Sequence, residues 1–438
     1  MTSGKTASTT SVERLEAALA RIDDPKGEGA RACLTVYREQ ARAAAQAADA
    51  RAKSSISLGP LDGAIVSLKD LFDVAGEVTR AGSKVLAEEA KPAVADAPIV
   101  QRLRAAGAVI IAKTNMSEFA FTGIGINPHY GTPGNAADVA RVPGGSSSGA
   151  GAAVGHKFCE IAIGTDTGGS IRIPAALNGI TGFKCSRQRV PTTGAFPLSG
   201  SLDSVGPLAN NIADCANADA IMAGEAPWEL DLAPLAGLRV GVAQGGPVDN
   251  LDDTVGKRFP AALDRLEKAG VRLSNESLPL IDDMNKLLSR TSILVAEAYA
   301  IHRDRLGCRA ADIDPIIVGR TEKGRDISSA DYIDIVQARA RLIRAMDARL
   351  ADLDVLVMPT CPIVAPRIDE VAADPKVFMG RNAMLLRNTT VVNFFDCCAV
   401  SLPLPREGGL PAGLMVIARN GHDRHLLRIA AAMERVFA

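Results

Sequence analysis

The chain has 438 residues, 47% of them hydrophobic and 23% charged, with a formal net charge of −1. This composition excludes global disorder and leaves no basic surplus for neutralising a phosphate backbone or anionic lipid. Aromatic residues make up 4%, with Trp228 the single tryptophan, which excludes stacking platforms for single strands and favours a small-molecule substrate over nucleic acid.

The first nine residues, rich in Ser and Thr, predict a disordered leader, with one domain from residue 10 to 438. Thr10-Ser11-Val12-Glu13 matches a capping box that opens a helix. Ser-Gly-Lys-Thr at 3–6 is not a phosphate loop, because the preceding strand and the first glycine of that motif are missing. The Ala/Arg-rich run over 33–53 predicts a second helix by propensity. From Gly63 the pattern changes. Ile65-Val66-Ser67-Leu68 is a short apolar run of strand type that ends at Lys69-Asp70, and a helix over 96–106 leads into a buried strand, Val109-Ile110-Ile111-Ala112. Residues 115–141 are rich in Gly, Pro, Asn and aromatics without periodicity and predict a long ordered loop, a kind of segment that is usually functional.

The stretch from Gly144 to Arg172 carries the chemistry. Gly144-Gly145-Ser146-Ser147-Ser148-Gly149 and Gly164-Thr165-Asp166-Thr167-Gly168-Gly169-Ser170-Ile171-Arg172 are two glycine-and-serine loops joined by an alanine-rich link. Glycine lets such loops turn sharply and expose backbone N–H groups, which can hold an oxyanion beside a hydroxyl. Ile161-Ala162-Ile163 before the second loop and Ile171 to Leu177 after it predict strand, tight loop and helix start, with Pro174 suited to a first helical turn.

Further along, 179–184 and 238–243 predict strands. A helix follows the second, with Val255, Phe259, Leu263 and Leu266 on one face. Helices are predicted at 282–306 and 329–351, then a strand at 355–359, a helix at 379–392, strands at 399–404 and 412–418, and a last helix from Asp423. The alternation is that of an α/β protein. Residues 224–237 are the only plausible domain boundary, and the segment is short, so one large domain is expected. Eight cysteines contain no C-x-x-C pair, the N-terminus lacks a signal-peptide pattern, and no apolar run approaches the ~18 residues of a membrane helix. A cytoplasmic protein with reduced thiols is expected, and the sequons at Asn115, Asn275 and Asn388 carry no weight.

Leu68-Lys69-Asp70, the Gly-Gly-Ser-Ser-Ser-Gly run at 144–149 and Gly-Thr-Asp-Thr-Gly-Gly-Ser-Ile-Arg at 164–172 together resemble the amidase signature family. The resemblance extends from about residue 60 to the C-terminus, is densest over 60–210, and weakly includes 409–414. It implies a single large α/β domain, a mixed twisted sheet surrounded by helices. It also implies a Ser-Ser-Lys relay with Ser170 as nucleophile, Ser146 as bridging serine and Lys69 as base, and an oxyanion hole made by the backbone of Thr167, Gly168, Gly169 and Ser170. Met116, Phe119, Phe121 and Tyr130 match an acyl-pocket wall, with ordinary packing as the equal alternative. Asp166 and Arg172 read as orienting the loop rather than touching substrate, and Asp396 as a contact for a substrate amino group. Two departures concern the substrate side: Asn135-Ala136-Ala137 stands where Asn-Pro-Trp is usual, and Lys184 is followed by Cys185-Ser186 where Pro-Thr is common.

The chemistry of the residues points the same way. A serine hydroxyl is a weak nucleophile and needs an adjacent base, yet the histidines at 129, 156, 302, 422 and 425 lie outside both serine loops. A lysine serves if burial lowers its pKa, and Lys69 at the end of an apolar strand qualifies. Two other motifs are set aside. Gly149, Gly151 and Gly155 imitate a dinucleotide loop without its strand, and His422 and His425 lack further metal ligands. The reading is therefore an amidase that hydrolyses a small carboxamide to acid and ammonia, without cofactor, metal, membrane or nucleic acid, and with a homodimer left open. The alternatives are the glutaminase subunit of a tRNA-dependent amidotransferase, a hydrolase of a urea derivative such as allophanate or biuret, and a non-catalytic amide-binding protein.

Overall fold

Eleven strands pair into one sheet in the computed structural model, which describes residues 9–438. The predicted leader lies, but for Thr9, outside the described residues. In chain order the strands are β1 Cys33–Val36, β2 Ile65–Lys69, β3 Val109–Thr114, β4 Ile161–Asp166, β5 Thr181–Lys184, β6 Ser204–Ala209, β7 Arg239–Ala243, β8 Arg272–Glu276, β9 Val355–Pro359, β10 Cys398–Pro403 and β11 Gly413–Ala418. Their order across the sheet is β1-β3-β2-β4-β6-β5-β10-β11-β9-β7-β8. β2 runs parallel to β3 and β4, and β7 runs parallel to β8 and β9. The other pairings are antiparallel. Residues 224–237 therefore form no boundary, since strands on both sides of them belong to the same sheet.

Alternation along β2 decides what each face receives. Val66 and Leu68 join a core with Ile99, Leu103 and Ala218, while Ile65 joins a second core with Leu15, Leu19 and Ala150 to Val154 on the opposite face. With side chains alternating, Lys69 starts out on the Ile65 face, the one that carries the Ser148–Gly155 helix. All five residues of β2 are buried, as expected of a strand with parallel neighbours on both sides and helices above and below.

The capping box is present: Thr10 Oγ1 accepts from the Glu13 N–H at 3.1 Å and Glu13 Oε2 accepts from the Thr10 N–H at 2.8 Å. Three expected helices are corrected. The run over 33–53 begins as β1, because Cys33, Thr35 and Val36 pair along β3 with a break in register at Leu34, and becomes helix only at Arg38–Lys53. The segment 282–306 is two helices, Pro279–Leu288 and Ile293–Arg309; Ser292 ends the break by capping the second. The segment 379–392 divides into Pro375–Leu386 and Thr389–Phe394. β6, β8 and the Ile212–Ala223 helix are additional elements.

Candidate active site

β2 and β4 are adjacent and parallel, so their C-terminal ends open on the same edge of the sheet, where the crevices of α/β sheets lie. Lys69 ends β2, and Thr165 and Asp166 end β4. The loop that starts the Ser148–Gly155 helix drops Ser146 between them. Gly164 makes this approach possible, since a Cβ there would stand 2.8 Å from Ser147 Oγ. Lys69 Nζ donates to Ser146 Oγ at 2.8 Å and to Thr165 Oγ1 at 2.8 Å. Lys69 and Ser146 are fully buried and Ser170 is 5% exposed.

Burial lowers the Lys69 pKa from 10.5 to about 7, against the opposing pull of the Asp203 and Asp166 charges. Much of the amine is therefore unprotonated at neutral pH, which lets it accept a proton from the hydroxyl beside it. Ser170 follows β4 in a loop whose carbonyl accepts from the Ser147 N–H at 3.4 Å. Its hydroxyl makes no hydrogen bond among the described residues, so the Ser146–Ser170 link is open in this state. Such contacts commonly tighten only when substrate is bound.

The N–H groups of Thr167, Gly168, Gly169 and Ser170 likewise donate to no protein acceptor among the described residues. Four consecutive free donors beside a serine can receive a developing oxyanion. Several contacts fix them. Thr389 Oγ1 donates to the Gly168 carbonyl at 2.6 Å, and Thr167 Oγ1 donates to Asp203 Oδ1 at 2.6 Å. Asp203 is anchored in turn by the N–H groups of Leu198 and Ser199, at 3.0 Å each, and burial pushes its pKa up. Gly169 has φ 139°, and a Cβ there would meet Thr389 Oγ1 at 2.2 Å.

Asp166 and Arg172 form a fully buried two-pronged ion pair, Nη2 to Oδ1 at 2.8 Å and Nε to Oδ2 at 3.0 Å. Asp166 Oδ2 also accepts from the Ile171 N–H at 3.1 Å. Asn393 bridges the pair, accepting from Arg172 at 2.6 Å and donating to Asp166 Oδ1 at 2.9 Å. Burial drives the Asp166 pKa up, but Arg172 outweighs it and leaves the carboxyl at about 2. These side chains brace the loop from behind.

The remaining candidates divide. Met116, Phe119 and Phe121 belong to the main core. Phe119 packs on Phe196 at 6.0 Å and on His302 at 4.1 Å between ring centres. His302 is buried with neither ring nitrogen hydrogen-bonded. Tyr130 lies under Arg80, with its hydroxyl 3.4 Å from the Ser83 carbonyl. Asp396 is not brought to the loop: the chain turns there with φ 55°, and Asp396 lines a separate cavity with Arg344, Asp347 and Asn420. His422 and His425 stand 6.3 Å apart, and no three His, Cys, Asp or Glu residues form a metal-binding group among the described residues.

Two cavities flank Thr167. One, of about 60 Å³, is lined by Leu71, Ala120, Thr165, Phe196 and Asp203 among others. The second, of about 100 Å³, is mainly apolar and is lined by Gly168, Leu202, Leu288, Ile293, Leu294, Arg339 and others. Thr165, Asp203, Thr389 and Asn393 were not singled out by sequence reasoning. Thr165 had a usable signal, lying inside the same loop motif. The others come from distant parts of the chain.

A family model for amidases matches residues 13–427. A 2-amino-5-chloromuconic acid deaminase from Comamonas testosteroni is 35% identical over 403 residues, covering 90% of this chain and 86% of the relative. A glutamyl-tRNA(Gln) amidotransferase subunit from Anaeromyxobacter sp. (strain K) is 36% identical over 466 residues, covering 97% and 92%. A crystal structure of an amidase superposes with a TM-score of 0.86 at 32% identity, covering 98% of this chain and 97% of that one.

Proposed function

The chain belongs to the amidase family and is an enzyme acting on amides, and on that premise we propose that it hydrolyses the C–N bond of a small carboxamide to a carboxylic acid and ammonia. The observation that carries the mechanism is the buried Lys69 Nζ, 2.8 Å from Ser146 Oγ and with a pKa lowered to about 7. The neutral amine takes the Ser146 proton as Ser146 takes that of Ser170. Ser170 Oγ then bonds to the amide carbon, and the carbonyl electron pair moves onto oxygen facing the N–H groups of residues 167–170. Return of the proton through the relay lets ammonia leave and gives an acyl-Ser170 ester. Water, deprotonated by the same relay, attacks the ester, expels Ser170 Oγ and releases the acid. We place the reaction in a reducing compartment, because all eight cysteines are free thiols and seven of them are buried. No helix among the described residues is long and apolar enough to cross a membrane.

The test is ammonia release by the purified chain on aliphatic, aromatic and dicarboxylic amides, allophanate, biuret and glutamine, with Ser170→Ala as control. Release from a non-glutamine amide that disappears in Ser170→Ala is the expected result. Release from glutamine alone would assign the chain to an amidotransferase, and turnover by Ser170→Ala would remove that serine from the mechanism.

A further inference from the structure

Arg339 sits in the middle of the Ser329–Arg349 helix and lines the apolar cavity that also contains Thr167 and Gly168 of the candidate oxyanion loop. Leu202, Leu288, Ile293 and Leu386 supply much of the remaining wall. Two guanidinium nitrogens are held by backbone: Nε donates to the Phe394 carbonyl at 2.8 Å and Nη2 to the Asn393 carbonyl at 3.0 Å. Those carbonyls close the Thr389–Phe394 helix, a favourable place for a cation, and they fix the plane of the guanidinium. They do not supply a counter-charge.

No carboxylate forms an ion pair with Arg339 among the described residues. The acids that act on it electrostatically are Asp396 and Glu297. Glu297 is occupied by the Ser199, Ser201 and Tyr332 hydroxyls, and Asp396 lines the separate cavity described above. Both hydrogens on Nη1 and one on Nη2 are left over, which is the end-on fork that arginine presents to a carboxylate. A partly buried cation beside a leucine-lined cavity, with its plane fixed and no acidic partner, is an incomplete ion pair.

The geometry points to a substrate that completes it: an amide whose acyl chain carries a carboxylate at its far end, with an apolar spacer along the leucines and the scissile carbonyl at residues 167–170. The substrate class is then the monoamides of dicarboxylic acids. This inference rests on the proposed hydrolysis for the placement of the reacting carbonyl.

Adipamate and hexanamide share a chain length and differ in the terminal carboxylate, so their affinities for Ser170→Ala, measured calorimetrically, isolate the charge. A charged hydrogen bond contributes about 1.5–3 kcal/mol, so adipamate should bind roughly 10–150-fold more tightly. In Ser170→Ala/Arg339→Met the preference should fall below about threefold, whatever happens to affinity overall. Arg339→Lys keeps the charge without the fork and should retain part of it. Equal affinities in Ser170→Ala, or a preference that survives Arg339→Met, would overturn the assignment even with amide hydrolysis intact. Ammonia release by Ser170→Ala would instead overturn the proposed mechanism, while the affinity ratio still judges Arg339.

Discussion

Lys69→Met keeps an unbranched side chain in the pocket and removes the amine that meets Ser146 and Thr165. Burial lowers the Lys69 pKa to about 7 in the folded protein, while the unfolded chain restores it to its ordinary 10.5. Between these values the unfolded state holds more protons, so the wild type should gain stability as pH rises through that window. Below about pH 7 both states are protonated and the buried ammonium destabilises the fold in full. A factor of ten in proton affinity is worth about 1.4 kcal/mol, so from about pH 7 to 9.5 the wild type should gain roughly 3 kcal/mol relative to Lys69→Met. Urea unfolding of the two proteins at matched pH reads this directly, because titrating groups that do not interact with Lys69 cancel and the carboxylates that do, Asp203 and Asp166, lose their protons well below this window. The same pKa governs catalysis. The wild-type kcat/KM should rise about tenfold per pH unit below pH 7 and level off above it, and Lys69→Met should lose at least ~10²–10⁴ of it. A wild-type kcat/KM flat across the acid range, with a stability difference that ignores pH, would refute the neutral-amine reasoning.

Gly169→Ala should cost about 10²–10³ in kcat with an unchanged fold by circular dichroism, since an alanine there needs φ 139° and collides with Thr389; undiminished kcat would detach that loop from the oxyanion. Asp166→Asn leaves the fully buried Arg172 without its charge partner and should destabilise by about 3–5 kcal/mol in urea unfolding; a change under about 1 kcal/mol would show that the pair is dispensable. For His302, burial lowers the pKa from 6.5 to about 3. The unfolded chain takes up this proton first, so stability is lost as pH falls below about 6.5. His302→Leu should flatten the fall in Tm over that range, and an identical fall in both proteins would place the acid sensitivity elsewhere.

Local pattern carried the centre of the fold further than its periphery. The apolar run at 161–163 followed by a glycine-and-serine loop is legible because strand, turn and helix start each leave a composition signature within a few residues. β8 leaves none: Arg-Leu-Ser-Asn-Glu is a polar edge strand, stabilised by pairing with β7 rather than by its own apolarity. β6 contains Gly206-Pro207, which argues against a strand until the fold is known. A Cβ on Gly206 would lie 2.2 Å from the Phe183 carbonyl, so the glycine is there for close packing. In the site, Lys69, the loop serines and the Asp166–Arg172 brace lie inside short motifs, whereas Asp203, Thr389 and Asn393, which hold the loop from outside it, do not. Asp203 is 36 residues from its partner Thr167 and Thr389 is 221 from Gly168. Contacts at that separation leave no periodic trace in a single sequence.

Asn393 and Thr389 reach back across the sheet to the β4 loop, and β10 inserts between β5 and β11. A growing polypeptide that has emerged as far as residue 210 thus carries Lys69, Ser146 and Ser170 but neither the hydroxyl that holds the Gly168 carbonyl nor the amide that bridges Asp166 and Arg172. The order of synthesis withholds competence until some 180 further residues have followed. Because closure over such distances is slow, the nascent N-terminal half must persist with its β5 edge unpaired. Activity should therefore appear late in refolding, after most of the secondary structure has formed.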